Sequence, residues 1–204
     1  LDYTQAMMTG LLFIPVVTTA TVMGLGAGSM VKNLLSSFSD LKVHAVEYRE
    51  EVVKVAKKYF HVPDTDRLVI HIDEAANYLK NTDIKSDIIF SDLYSSEGMD
   101  PHQVHSSYLR DCKDALNQHG VLVLNICHTA LKSEEELDGL LALEFENRLL
   151  SFEVEGGNTV VLAFKNEIPS ITREELLTKA QYLQMKMNIE LEPYAQRFCD
   201  AQDL

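Results

Sequence analysis

A glycine-rich segment followed by an acidic residue about twenty positions later is the feature of this sequence best suited to chemistry. The segment reads Gly24-Leu25-Gly26-Ala27-Gly28-Ser29, and Glu47 ends the next apolar run. A glycine-rich turn between a strand and a helix lets a ligand approach the bare backbone, and an acid at the tip of the second strand can hold a ribose hydroxyl. We therefore predict that an adenosine-containing cofactor contacts Gly24, Gly26, Gly28 and Glu47.

The spacing of the glycines separates two classes of cofactor. In the dinucleotide fingerprint G-x-G-x-x-G, the last glycine lets the helix pack closely on the strand. Ser29 stands at that position here, and the pattern is G-x-G-x-G instead. This spacing is usual in S-adenosylmethionine enzymes, in which no pyrophosphate has to be held. A glycine-rich turn without any ligand is the alternative interpretation.

Further candidate site residues follow the ends of the predicted strands, where open α/β sheets bind their ligands. The second strand ends at Glu47-Tyr48, the third at Asp73-Glu74-Ala75 and the fourth at Asp92-Leu93-Tyr94. Acidic residues at these positions could also serve as helix N-caps, and for Asp73 and Glu74 this explanation equals contact with adenine. Asp92 precedes an irregular loop, where a carboxylate can meet a substrate.

Composition and charge restrict the class of protein. The 204 residues are 46% hydrophobic and 24% charged, which predicts one globular domain with at most a short appendage. The net charge of −13 argues against a nucleic-acid partner. An acidic surface could attract a cationic substrate such as a polyamine, although solubility alone also explains it.

The cysteines and one long uncharged stretch bear on the location of the protein. Cys112, Cys127 and Cys199 form neither a zinc pattern nor a disulfide framework, so we expect no metal site and a reducing compartment. No charge occurs between Ala6 and Val31, but Pro15 and several glycines interrupt this stretch. A helix, a turn and a buried strand explain it better than a membrane span. We expect a cytoplasmic protein, although an upstream segment could carry a targeting signal.

Predicted strands and helices alternate through the middle of the chain. This alternation favours right-handed crossovers and a largely parallel sheet that is covered on both faces. The predicted strands are Thr19–Leu25, Leu41–Glu47, Arg67–Ile72, Ser86–Ser91 and Val121–Ile126, and the predicted helices are Ser29–Phe38, Arg49–Phe60, Glu74–Leu79 and Pro101–Leu116.

The next segment predicts an antiparallel hairpin. A helix over Ser133–Arg148, with a capping-box spacing at its start, precedes two alternating runs, Leu149–Glu155 and Thr159–Lys165, that flank a Gly-Gly-Asn turn. A parallel sheet that ends in such a hairpin is typical of the methyltransferase-type fold. We therefore predict an α/β protein with the S-adenosylmethionine-dependent methyltransferase-type, Rossmann-like fold and a seven-stranded, mostly parallel sheet.

Two further helices are predicted after Pro169. They span Thr172–Ile189, which starts with a Thr172/Glu175 cap, and Glu192–Ala201. The predicted organisation is a cofactor-binding α/β domain over residues 1–168 and a helical C-terminal extension over residues 169–204.

The order and spacing of these motifs resemble the spermidine synthase (polyamine aminopropyltransferase) family. The resemblance extends over about residues 1–165 and is carried by several separate blocks. These blocks are Tyr3–Met8, Val22–Gly28, His44–Glu47, Arg67–Ala75 and Asp87–Asp92.

The resemblance implies a role for each candidate residue. The glycine loop and Glu47 would hold decarboxylated S-adenosylmethionine, and Glu74, with Asp73 before it, would contact adenine. Asp92 would take a proton from a substrate amine, which then attacks the aminopropyl carbon beside the sulfonium, and methylthioadenosine leaves. Tyr3 and Tyr94 would line the amine pocket. The other cofactor contacts expected at the strand ends are Tyr48, Ala75 and Leu93, and a homodimer is possible.

Three departures from the family pattern leave the reaction open. Ala27 replaces an acid that would pair with the ammonium of the decarboxylated cofactor and repel the carboxylate of ordinary S-adenosylmethionine. Ser95 replaces a second Asp, and the N-terminal β-hairpin domain of the family is absent from this sequence. Three hypotheses therefore stand: aminopropyl transfer to a small amine in polyamine biosynthesis, methyl transfer to a small molecule, and a diverged cofactor-binding domain without catalysis.

Overall fold

The computed structural model describes residues 2–95, 98–127, 134–154 and 157–202, and its described strands form one large and one small sheet. Six strands lie within two residues of the predicted runs, whereas β7 begins five residues before its predicted start and β5 and β6 were not predicted. The strands are β1 (Thr19–Met23), β2 (Lys42–Glu47), β3 (Leu68–Ile72), β4 (Ser86–Ser91), β5 (Tyr94–Ser95), β6 (Gly98–Met99), β7 (Leu116–Cys127), β8 (Leu149–Val154) and β9 (Asn158–Phe164).

The large sheet has seven strands within the described residues, in the order β3-β2-β1-β4-β7-β9-β8. The first five strands in this order, β3, β2, β1, β4 and β7, are parallel to one another. The strand β9 pairs antiparallel with both β7 and β8. This confirms the predicted α/β fold with a mostly parallel sheet and a terminal antiparallel hairpin. The strand order reverses between β1 and β4, and such a switch point is where open α/β sheets bind ligands.

Helices cover both faces of the large sheet, as the alternating pattern predicts. The helices are α1 (Asp2–Met7), α2 (Ser29–Ser37), α3 (Glu50–Phe60), α4 (Ala75–Asn81), α5 (Ser106–Ala115), α6 (Glu134–Glu144), α7 (Arg173–Met187) and α8 (Glu192–Ala201). Side chains of α1, α2, α3, α7 and α8 share one apolar core with the sheet, and those of α4, α5 and α6 share the other.

The uncharged N-terminal stretch folds as helix, bend and strand. A 3-10 helix over Met8–Phe13 continues α1, and all six of its residues are buried. A Cβ atom added at Gly10 would lie 2.5 Å from the Cγ2 atom of Val123, so this position permits a close approach to the sheet. In the part of the chain that the structure describes, no helix is long and apolar enough to cross a membrane.

The predicted helix over Pro101–Leu116 is wrong in its extent. The structure has a 3-10 helix over Pro101–Val104, and α5 begins only at Ser106, after His105 adopts extended backbone angles. Leu116 is the first residue of β7 and pairs with Ser86 of β4. The local pattern is helical, but pairing with a buried strand determines the backbone of Leu116.

The C-terminal helices pack against the sheet. The predicted cap of α7 is confirmed, because Thr172 and Glu175 form a reciprocal capping box. The corresponding cap predicted at Ser133 lies outside the described residues. Leu176 and Phe198 are fully buried in the same core as β1. The division of the chain at residue 168 stays a prediction.

Asp87 of β4 is hydrogen-bonded to the start of β1 and to β7. It lies at the edge of the sheet opposite the carboxyl ends of the parallel strands. Its Oδ2 atom accepts hydrogen bonds from the Thr18 backbone N–H at 2.7 Å and the Thr19 N–H at 3.0 Å, and its Oδ1 atom accepts one from Asn117 at 2.6 Å. Burial raises the pKa of Asp87, but these hydrogen bonds outweigh it and hold the pKa below its ordinary value.

Replacing Asp87 with Ala is expected to lower the free energy of unfolding by about 1–2 kcal/mol at neutral pH. The N–H groups at the start of β1 lose a charged acceptor, and water replaces part of the lost hydrogen bonding because the position is partly exposed. Because the folded-state pKa is lowered, this contribution is present above the unfolded-state pKa and disappears as the pH falls through the folded-state pKa. Urea unfolding at several pH values measures it. Asp83→Ala, at an exposed position, should change little. Equal stability of the two variants at neutral pH would contradict this role.

Candidate functional site

The carboxyl ends of β1, β2, β3 and β4 meet at one edge of the sheet. Backbone hydrogen bonds join the segments that leave these strands, at distances between 2.9 and 3.2 Å. The bonds run from Gly24 N to Val46 O, from Asp92 N to Met23 O and from Asp73 N to Glu47 O. The glycine loop and the three predicted acidic ends are therefore neighbours, as the sequence predicts.

The glycine loop has backbone angles that favour glycine. Gly24, Gly26 and Gly28 have φ values of 91°, 51° and 72°. A Cβ atom added at Gly24 would lie 2.5 Å from the carbonyl oxygen of Asp92, so only glycine fits there. A Cβ atom at Gly26 would meet nothing within 4 Å. The loop is therefore packed against Asp92 at one glycine and open to a ligand at another.

Glu47 lies on the other side of the same loop. Its side chain is buried, its Oε2 atom accepts a hydrogen bond from Leu25 N at 3.2 Å, and its Oε1 atom accepts one from Arg49 N at 3.0 Å. Since Gly24 touches Asp92 and the next residue bonds to Glu47, the two acids flank a single turn of backbone. Arg49 Nε lies 3.7 Å from Oε1. A carboxylate oxygen can accept more than one hydrogen bond, so Glu47 has acceptor capacity that a ribose hydroxyl could use. The neighbouring Tyr48 is 73% exposed.

The acids after β3 serve as local caps in this structure. Asp73 Oδ1 accepts hydrogen bonds from Glu74 N and the Asn77 side chain, each at 2.8 Å. Glu74 is the N-cap of α4, and its Oε1 atom accepts a hydrogen bond from Ala76 N at 3.3 Å. Ala75 is buried. The alternative explanation for these acids, a local role at the start of a helix, is therefore present in the structure. Their contact with adenine stays a prediction.

Asp92 lies at the same edge, largely removed from solvent and hydrogen-bonded through its carboxylate. Its Oδ1 atom accepts a hydrogen bond from the Asn125 side chain at 2.9 Å, and Tyr3 donates a second hydrogen bond to the carboxylate. Burial raises the pKa of Asp92, and these two donors offset the rise only in part. A carboxylate in such a position is a stronger base than an exposed one and is suited to accept a proton.

Two tyrosines meet above Asp92 from distant parts of the chain. The rings of Tyr3 in α1 and Tyr94 in β5 stack with centroids 6.5 Å apart at an interplanar angle of 28°. Burial and, for Tyr3, the nearby charge of Asp92 raise the pKa of both phenols. For Tyr94 the further causes are Cys127, Asp92 and Tyr3, in that order. Both phenols are therefore neutral hydrogen-bonding groups over a wide range of pH.

Three amide side chains of the site were missed by the sequence analysis. Asn125 lies in β7 and is fully buried, and its Oδ1 atom accepts a hydrogen bond from Asn158 of β9 at 2.7 Å. Gln103, also fully buried, donates to Asn125 O at 3.1 Å and accepts from Leu93 N at 3.3 Å. A polar residue within the apolar run of β7 was the signal for Asn125. Asn158 was taken for a turn residue, and Gln103 carried no signal.

The structure thus assembles two groups of predicted residues around the glycine loop. A Cβ atom at Gly24 would also lie 3.8 Å from the Cδ2 atom of Leu93, which places Leu93 beside the loop. One group contains Asp92, Tyr3 and Tyr94, and the other contains Glu47 and Tyr48. Within the ranges that the structure describes, no three His, Cys, Asp or Glu side chains are arranged to hold a metal ion.

The sequence of this chain is similar to those of known proteins. The chain matches the spermine/spermidine synthase domain over residues 3–139. A polyamine aminopropyltransferase of Neisseria meningitidis serogroup A is 28% identical over 186 residues, which are 90% of this chain and 70% of that protein.

Two crystal structures share the fold. Human methyltransferase-like protein 13 in complex with SAH has a TM-score of 0.83 at 24% identity and aligns with 92% of this chain and 93% of its own. Spermidine synthase in complex with the transition state analogue AdoDATO has a TM-score of 0.70 at 16% identity and aligns with 92% and 75%. With two thirds of its length matched by the family's own domain, this chain belongs to the spermine/spermidine synthase domain family.

Proposed function

We propose that this protein transfers an aminopropyl group from decarboxylated S-adenosylmethionine to a small amine, with Asp92 as the base. The observation that carries the proposal is the position of Asp92, whose backbone carbonyl packs against Gly24 of the glycine loop and whose largely desolvated carboxylate accepts hydrogen bonds from Asn125 and Tyr3. Membership of the spermine/spermidine synthase domain family and the similarity to an aminopropyltransferase support this choice of reaction.

The residues around the glycine loop fit an adenosyl cofactor. Gly26 leaves open space beside the loop, and Glu47 has acceptor capacity for ribose hydroxyls next to it. Two structures of the same fold are complexes with SAH and AdoDATO, which supports an adenosyl ligand here. When bound, the cofactor supplies an electrophilic carbon next to a positively charged sulfur. Tyr48 and Leu93 would line the site on either side of the loop.

The other group of residues would prepare the amine. Asp92 attracts a cationic amine and then accepts its proton, which leaves the nitrogen lone pair free to attack. Asn125 and Tyr3 hold the carboxylate in place during this step, since each donates a hydrogen bond to it. The neutral phenols of Tyr3 and Tyr94 offer polar contacts and add no charge that would oppose a cation.

Methyl transfer from ordinary S-adenosylmethionine is the second candidate. Ala27 favours it, because the loop then has no acid at this position to repel the carboxylate of that cofactor. The close match in fold to a methyltransferase over 93% of that chain is consistent with it. Methyl transfer chiefly needs alignment of the nucleophile with the sulfonium methyl group, and Asp92 could serve as base for an amine in this reaction too.

The choice of cofactor separates the two candidates. Calorimetric titration is expected to show tighter binding of decarboxylated S-adenosylmethionine than of the ordinary form. Ala27→Asp should widen this preference by about tenfold or more, because the new carboxylate pairs with the ammonium and repels the carboxylate of the other ligand. Ala27→Asn, which has nearly the same shape and no charge, is the control. Tighter binding of the carboxylated form by the native chain would favour methyl transfer, and failure of both to bind at millimolar concentration would favour a domain without catalysis.

Glu47→Gln is expected to weaken cofactor binding by about tenfold or more, since a hydrogen bond from a ribose hydroxyl to a charged acceptor is replaced by a bond to a neutral one. Glu50→Gln is the matched control, because Glu50 lies three residues away with an exposed side chain paired to Lys54. Calorimetry measures the affinity, and urea unfolding shows whether the loop still folds. Unchanged affinity in a stable Glu47→Gln protein would remove Glu47 from the cofactor site.

Asp92→Asn should lower kcat/KM about 10²-fold to 10⁴-fold while cofactor affinity stays nearly constant, because the base is lost and the loop is intact. The native enzyme should lose activity as the pH falls through the raised pKa of Asp92, since only the ionised carboxylate accepts a proton. Asp64→Asn, at an exposed position, serves as the control. A variant that keeps full activity would rule out Asp92 as the base.

A further inference from the structure

We propose that Asn158 is a positioning residue, which fixes the orientation of the Asn125 amide so that its N–H group, and not its carbonyl oxygen, faces Asp92. The inference rests on the proposed role of Asp92 as the base. It gives the antiparallel strand β9 a part in the reaction, although none of its residues was predicted to belong to the site.

The hydrogen bonds of Asn125 define one orientation of its amide. Oδ1 accepts from Asn158 Nδ2 at 2.7 Å, and Nδ2 donates to Asp92 Oδ1 at 2.9 Å and lies 3.3 Å from the hydroxyl of Tyr94. The reversed amide would bring two N–H groups together at Asn158 and two oxygen atoms together at Asp92. Since Asn125 is fully buried, no solvent can replace the lost partners.

The reversed amide is compatible with one state of the base, the protonated one. A protonated Asp92 can donate to the Asn125 oxygen, whereas the ionised carboxylate can only accept. In the structure Asn158 presents its Nδ2 group at this contact, and the same group lies 3.5 Å from the hydroxyl of Tyr94. In this orientation Asn158 favours the Asn125 amide orientation that stabilises the ionised form of Asp92. Asn158 acts on the carboxylate through Asn125, to which it is directly hydrogen-bonded.

The topology of the sheet explains why a residue so late in the chain reaches the site. In the register of β7 and β9, Asn158 pairs with Cys127 and Val160 pairs with Asn125. Asn158 and Asn125 are therefore diagonal neighbours on one face. Because β9 runs antiparallel, its first residue lies beside the carboxyl ends of the parallel strands. A parallel strand in the same place would bring its last residue there.

The titratable groups around Asp92 come from three elements. They include Tyr3 from α1, Tyr94 from β5 and Cys127 at the end of β7, which interacts with the phenol of Tyr94. Burial raises the pKa of both tyrosines, so neither phenol ionises in the acidic range. A titration of Asp92 in the acidic range is therefore not overlapped by ionisation of either phenol, and a change between variants reports on its hydrogen bonds when its burial is unchanged.

The test is a carbon-13 NMR titration of the Asp92 carboxyl group in the cofactor-free protein, with its signal assigned by its loss in Asp92→Asn. Asn158→Ala is expected to raise the proton affinity of Asp92 about threefold to tenfold, because the orientation of the Asn125 amide is no longer fixed. Asn166→Ala, which removes an exposed amide from the same part of the chain, should leave the titration unchanged. Identical titrations of the two variants would overturn the proposal.

A double substitution tests whether Asn158 affects Asp92 through Asn125, here called the relay, or directly. With Asn125 replaced by Leu, the additional change Asn158→Ala should no longer alter the titration of Asp92, because the connecting amide is gone. A persistent effect in this background would also overturn the proposal. If the Asn125→Leu protein fails to fold, Asn125→Ser provides the same background with a smaller side chain that cannot span both contacts.

Activity measurements distinguish failure of this inference from failure of the proposed function. In an active enzyme, Asn158→Ala should move the acidic limb of kcat/KM to higher pH by the factor seen in the NMR titration. Absence of any group transfer by the native protein would refute the proposed function and leave the titration as the test of the relay. Full transfer activity with matching pH profiles for Asn158→Ala and Asn166→Ala would refute the relay alone.

Discussion

The contact between Gly24 and the carbonyl oxygen of Asp92 is the constraint on which the rest of the site depends. A side chain at position 24 could not be accommodated, because its Cβ atom would lie 2.5 Å from that oxygen. The ends of β1 and β4 can therefore leave the sheet side by side, and the hydrogen bond from Asp92 N to Met23 O holds them there. The turn that would hold an adenosyl group is thereby placed against the backbone of the residue whose carboxylate would meet an amine.

Around this contact the structure buries three long polar side chains, two from strands of the sheet and one from the 3-10 helix before α5. Glu47, Gln103 and Asn125 are each buried, and each has hydrogen bonds to the backbone or to another side chain of the site. Burial of such groups is tolerated because their donors and acceptors are paired. The same pairing limits how far any of them can move, which keeps the site rigid before a ligand arrives.

Much of the fold could be predicted from local patterns. The apolar runs of β1 to β4 and the glycine turn have simple spacings, and the ends of the strands then place Glu47 and Asp92 at one edge of the sheet without knowledge of tertiary contacts. The cap of α7 is also a local feature, since Thr172 and Glu175 are three residues apart. These predictions succeeded because neighbouring residues alone determine the structure there.

The remaining parts of the site depend on contacts between distant residues. Asn125 and Asn158 belong to different strands, and their bond follows from an antiparallel register that no local pattern reveals. Gln103 lies in a segment with helical spacing, but its side chain enters the sheet and bonds to β7. Leu116 likewise becomes a strand residue through its pairing with Ser86. In each case the tertiary partner, and not the local sequence, determines the outcome.

Tyr3 of α1 and Asn158 of β9 also link the completion of the candidate site to the order in which the chain is synthesised. Tyr3 and Asn158 are separated by 155 positions in the sequence, yet both border the same carboxylate through direct or one-step hydrogen bonds. When only the parallel strands of a chain have left the ribosome, the glycine turn and Asp92 have been made, but Asn158 has not. Competence for group transfer would then arise late, when the terminal hairpin joins the sheet.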